Sequence, residues 1–196
     1  MPILTKERIK VLNEFRKKLI KTLKELIKKE KNPFLRDAFE ETLHNVELLP
    51  IKFIPSKILA ARYGVVGGAL IGSVVKGRQV NQIIIVQKGM NKYVIRRREI
   101  DLPAEHLFKG NNIAWDGVHT LMHEYCHSLR NLSVFAEKLK LNNEQTEELI
   151  ADLLSAKIAL KMNFPKEVIL SSYSGRDFVY GGFPFREKLI KLLSAK

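Results

Sequence analysis

The 196-residue sequence predicts an α+β domain, a small, mostly antiparallel sheet packed on a pair of helices, with a helical segment ahead of it. Three observations predict it. Apolar residues recur at spacings of 3 and 4 early in the chain and again after residue 117, the period of a helix with one buried face. Between these stretches, runs rich in β-branched residues are separated by glycine-containing turn signals. The length and a hydrophobic content of 45% suit a single core. Domain 1–196 then divides into basic helices over 1–49, a β region over 58–100, a helix pair over 113–162, and a loop and helix over 163–196.

Ile9, Leu12, Phe15, Leu19, Leu23, Leu26 and Ile27 predict one long amphipathic helix ending near Asn32-Pro33. Residues 1–31 hold eleven Lys/Arg against four Glu, so the other faces are crowded with lysine. Such a helix packs on its domain, lies on a membrane surface, reaches a partner, or covers a cleft as a prosegment. Phe34 to Leu49 predicts a second helix, halted by Pro50. Ile58 to Val75 is mostly apolar but is broken by Arg62, Tyr63 and four glycines. Eighteen residues is the lower limit for a membrane span, and Arg62 adds a high insertion cost, so a buried β region is expected. Ala69–Val75, Gln82–Gln87 and Tyr93–Ile100 predict a three-stranded meander. Arg96-Arg97-Arg98 marks the last strand as a charged, exposed edge.

The stretch Val118 to Arg130 carries the chemistry. It contains His123-Glu124-Tyr125-Cys126-His127, an H-E-x-x-H pattern, and chance alone supplies about one such match per hundred chains of this composition. Positions i and i+4 lie on one helical face, so His123 and His127 can aim two imidazoles at one metal. Glu124, one residue further round, can reach a water at the metal without ligating it. Val118, Leu121, Met122, Tyr125 and Leu129 supply the apolar stripe, and Asp116-Gly117 a start. His119 is two turns, about 12 Å, from His127 and does not converge with the pair. It reads as a cleft-wall or surface residue.

A catalytic zinc takes a third protein ligand. Asn142 to Glu148 looks like a capped helix start, acidic in its first turn. Glu148 follows His127 by 21 residues, enough for a turn and an antiparallel return. Glu148, Asp152 and Ser155 share a face, with Ala151 and Ala159 beside it to admit a second helix closely. Glu147 and Glu148 also read as ordinary partners of the helix dipole.

Glu148-Leu149-Ile150-Ala151-Asp152 resembles the E-x-x-A-D element of the gluzincin metallopeptidases. Glu148 to Ala159 is similar to the same helix in heat-shock and CAAX-type membrane gluzincins and in ImmA/IrrE-like regulatory peptidases, and the short gap after His127 resembles that of thermolysin-like enzymes or of the minigluzincins. The resemblance covers about Val118 to Leu160. It implies a zincin-like fold and a zinc metallopeptidase with one Zn2+, held by His123, His127 and Glu148, with Glu124 as general base. Asp152 would accept a hydrogen bond from the far nitrogen of a ligating His. It also implies an edge strand for a peptide substrate, for which Tyr93, Val94, Ile95 and Arg96 are the candidates. A donor to the oxyanion would come from Tyr173, Arg176 or Tyr180 in the Gly- and aromatic-rich stretch after residue 170. The alternatives are a regulatory peptidase specific for one repressor or partner, and a non-catalytic basic module with structural zinc.

The net charge of +13 admits nucleic acid or an anionic membrane as a partner, but no stacking-aromatic or groove-reading motif accompanies it. A solvated surface is the plainer reading. The single cysteine, Cys126, excludes an internal disulfide and reads as a small buried residue. Met1 to Lys10 shows no secretory pattern, so a cytoplasmic protein is expected. There is no internal repeat, phosphate-binding loop, zinc finger or Ser/His/Asp arrangement.

Overall fold

Thr5 opens the first helix by accepting a hydrogen bond from the Arg8 amide at 3.2 Å, which satisfies one of the N–H groups a helix start leaves over. The helix, α1, runs Lys6–Lys29. The computed structural model describes residues 4–55, 57–58, 61, 69–75, 83–84, 95–102, 107–127 and 143–172. Asn32 caps α2, Pro33–Leu48, by accepting from the amides of Phe34 and Leu35 at 3.0 and 3.3 Å. Pro33 takes the first helical position, where no donor is needed. Leu12, Leu19 and Leu23 of α1 are buried with Phe39 and Val46 of α2 in one core. Each such side chain contributes about 1.5–3 kcal/mol. Lys10, Lys17, Lys21, Lys24 and Lys28 are exposed. α1 is packed on its domain through Leu12, Leu19 and Leu23, while Ile9 at the start of the predicted stripe is exposed. Among the described residues, no helix is long and apolar enough to cross a membrane.

The β region contributes β1 Ile51–Phe53, β2 Ala69–Val75, β3 Ile83–Ile84 and β4 Ile95–Leu102. The sheet order is β1-β4-β2, with β3 also on β4. β2 and β3 are antiparallel to β4, and β1 is parallel to it. The α+β class and the mostly antiparallel sheet are as expected, but the meander is not. β4 lies between its partners: Ile95 pairs with Val75 and Ile84, and Arg96 with Val74 and Ile83. Both backbone edges are occupied there, which corrects the expectation of a substrate edge strand at Ile95 and Arg96. The reason is length. At eight residues β4 can pair with all three other strands, whereas charge in a sequence does not tell edge from centre. Tyr93 and Val94 lie outside the described residues, as do Tyr173, Arg176, Tyr180 and the C-terminal helix expected over 186–196.

A hairpin, β5 Phe108–Lys109 and β6 Asn112–Ile113, leads out of the sheet. Its two-residue turn begins at Gly110, whose φ of +66° suits glycine. Then come α3 Trp115–Cys126, α4 Asn143–Lys161 and α5 Lys166–Ser172. α3 starts after Ala114 without a side-chain cap, close to the expected Asp116-Gly117 boundary. α4 is buried on several sides, through Leu149, Ala151, Leu154, Ala156, Ile158 and Ala159. Asn163, at φ +65°, ends it, and the Phe164 amide reaches back to the Ala159 carbonyl at 3.1 Å.

Candidate metal centre

The apolar residues of α3 settle its orientation. Val118, Leu121, Met122 and Tyr125 are buried in the core, which turns His123 toward α4. His127 follows the last helical residue and has left helical geometry, with φ −58° and ψ 119°. The partners of the two histidines run in opposite order along α4, so the helices are antiparallel at the site.

His123 Nε2 lies 3.2 Å from Glu148 Oε2, and His127 Nε2 lies 3.6 Å from Glu148 Oε1. The imidazoles stand edge to face, with centroids 4.8 Å apart. One donor atom from each of His123, His127 and Glu148 lies within 4.8 Å of the others, so this trio could hold a metal ion. Tetrahedral zinc with ligands at about 2.0–2.2 Å sets neighbouring donors about 3.3–3.6 Å apart. The two spacings run to different oxygens of Glu148, and the 4.8 Å spread of single donor atoms is wider than that, so the trio has to draw in slightly around such an ion.

The far side of each ring is also held. His123 Nδ1 is 2.7 Å from Asp152 Oδ1, and His127 Nδ1 is 3.1 Å from Glu147 Oε1. A carboxylate at Nδ1 fixes the tautomer with its proton there and leaves Nε2 as the lone-pair donor. Asp152 is fully buried. Glu124 is buried too, with Oε2 3.7 Å from His127 Nε2, beside the trio but outside it.

Electrostatics point the same way. Burial opposes charge on His123, but hydrogen bonds to Asp152 and Glu148 outweigh it and raise the imidazole to about 10. Burial would raise the Glu148 carboxyl, yet the hydrogen bond from His123 holds it below its usual value. Four carboxylates, Glu124, Glu147, Glu148 and Asp152, surround two imidazoles, an arrangement that calls for positive charge. A proton on His123 supplies it in the metal-free chain, and a divalent cation would supply it better.

Every expected residue in the described part of the metal site comes together. His119 stands outside the trio, with its ring 6.2 Å from that of Trp115. Cys126 is buried, and burial pushes its thiol far above the usual range. Sequence reasoning treated Glu147 as a dipole partner and missed its hold on His127. The signal was available in the antiparallel return: if Asp152 meets His123, the residue meeting His127 lies about one turn earlier in α4. Comparison with known protein families, curated proteins and solved structures finds no match for the chain.

Proposed function

We propose that this chain is a zinc-dependent metallopeptidase of the gluzincin type. One observation carries the reading: two imidazoles, each held at Nδ1 by a carboxylate, turn their Nε2 atoms toward the same Glu148 carboxylate. His123, His127 and Glu148 would hold the ion, leaving a coordination position for water or substrate. Bound zinc supplies Lewis acidity, bringing the pKa of water to about 7 and polarising a peptide carbonyl. Glu124 takes a proton from the attacking water and passes it to the leaving amine. Its burial beside His127 keeps bulk water from competing for that carboxylate.

An extended peptide is best served by β2 rather than β4. Among the described residues, β2 is the last strand in the order β1-β4-β2, and it lies against α3. Strand addition there would set a substrate backbone beside the helix that carries His123 and Glu124.

The test is elemental analysis together with peptide hydrolysis. The wild type should hold one zinc per chain, and Glu148→Ala should hold far less. Glu124→Gln should keep its zinc and lose hydrolysis by about 10²–10⁴-fold, the usual contribution of a positioned base. Undiminished hydrolysis by pure Glu124→Gln protein ends the assignment of the base. A wild type that takes up no zinc ends the reading as a whole.

A further inference from the structure

We infer that Asn45, on α2, is a positioning residue for the metal centre, holding the end of α3 so that His127 presents Nε2 to the ion. The inference rests on the metal-binding part of the proposed function.

The last carbonyls of a helix have no partner within it. α3 ends at Cys126, and the carbonyls on either side of that residue both receive Asn45. Its Nδ2 donates to the Tyr125 carbonyl at 2.9 Å and to the His127 carbonyl at 3.2 Å. These two acceptors fix the amide orientation, because a flipped amide would set oxygen against two oxygens.

Asn45 is fully buried, and its Oδ1 has no hydrogen-bond partner among the described residues. A buried, unmet acceptor is a cost that a leucine of similar size would not incur. What the amide adds is the pair of donated bonds. They clamp the turn where the backbone leaves helical geometry at His127. Glu147 of α4 holds the His127 ring from one side, and Asn45 of α2 holds its backbone from another. With only the ring held, the final turn of α3 is free to fray and the 3.6 Å spacing to Glu148 is no longer fixed.

The experiment uses the full chain, with cobalt(II) and zinc as probes. Affinity is read by competition with a chelator, coordination by the visible absorption of cobalt, and folding by circular dichroism. Asn45→Ala should bind both metals about ten- to hundredfold more weakly, the usual loss on removing an outer support of a ligand, with an altered cobalt spectrum. Asn45→Ser keeps one donor and should fall between Asn45→Ala and wild type. It carries the test if Asn45→Ala does not fold.

Leu23→Ala, a cavity in the same core at a residue of α1, controls for lost stability. It should leave the cobalt affinity and spectrum of the folded protein unchanged. The inference is overturned if wild type binds cobalt and the Asn45 variants match it, or if Leu23→Ala weakens binding equally. In either case the proposed function stands. A wild type that binds neither metal overturns both.

Discussion

Glu147 and Asp152 do the same work for two histidines at different depths, and the difference sets the size of their effects. Asp152 is fully buried, whereas the Glu147 side chain is 23% exposed. Asp152→Ala leaves a buried imidazole N–H with no acceptor, whereas water can replace part of the Glu147 contact. Zinc affinity should therefore fall about tenfold in Glu147→Ala and nearer a hundredfold in Asp152→Ala, measured by chelator competition. The centre also sets how the metal-free fold responds to pH. His123 is raised from 6.5 to about 10, so its contribution is complete below 6.5 and is lost as pH rises through 10. Glu148 is lowered from 4.5, so its contribution is present above 4.5 and is lost as pH falls through the lower folded value. Chelated protein should thus melt at a lower temperature at pH 9–10 than at pH 6. Zinc-loaded protein should not show that loss, because its bound imidazoles carry no removable Nε2 proton. Equal pH profiles with and without zinc would refute this. At this scale the sequence was informative wherever a role depends on helical spacing, as for His123, Glu124, Glu148 and Asp152, and for His127 although it sits just past the end of α3. It was silent on Asn45, which acts 80 residues away on a backbone atom and leaves no local pattern.

The elements succeed or fail as predictions for a related reason. α1, α2, α3 and α4 were legible because an amphipathic stripe, a cap and a proline are local facts. Strand pairing is not local. β2, β3 and β4 were all expected, yet the long β4 takes the middle place, and no residue of β4 announces that order. The antiparallel α3–α4 pair was legible because small residues on α4 invite close approach. Ala151, Ser155 and Ala159 are all buried there, and His123 reaches Asp152 at 2.7 Å. Ala151→Leu tests this element. The added volume must displace packed neighbours one turn from Glu148, at a cost of about 1–3 kcal/mol. Both the urea midpoint and zinc affinity should fall. Unchanged zinc affinity at a reduced midpoint would show that the ligand geometry does not depend on this packing.

For the molecule as a whole, the question is whether the lysine-rich N-terminal helix is a detachable arm or part of the body that holds the metal. Several contacts tie α1 and its C-terminal end to elements far along the chain. Arg8 donates to the Gly110 carbonyl at 2.9 Å and lies over the Phe108 ring. Lys18 reaches the Met162 carbonyl, and Glu30, just past α1, pairs with Lys157 of α4. Polar contacts at or near the surface, exposed at Arg8 and part-buried at Lys18 and Glu30, contribute little next to buried apolar area, so the burden falls on the apolar face. Leu23 is fully buried in the core that also contains Tyr125 and Leu154. Leu23→Ala should therefore destabilise the whole domain by about 2–5 kcal/mol. The chain offers two probes to check this. Far-ultraviolet circular dichroism sums all the helices, α1 included, while the single tryptophan, Trp115, reports on the start of α3. If α1 belongs to one cooperative body, the two urea transitions coincide and shift together in Leu23→Ala. With zinc held at the proposed centre of the native state, excess zinc should move both back toward higher urea, by about 2.7 kcal/mol at a hundredfold excess over its dissociation constant. A detachable arm gives the opposite pattern: the dichroism signal loses an early helical fraction, while the Trp115 transition stays where it was.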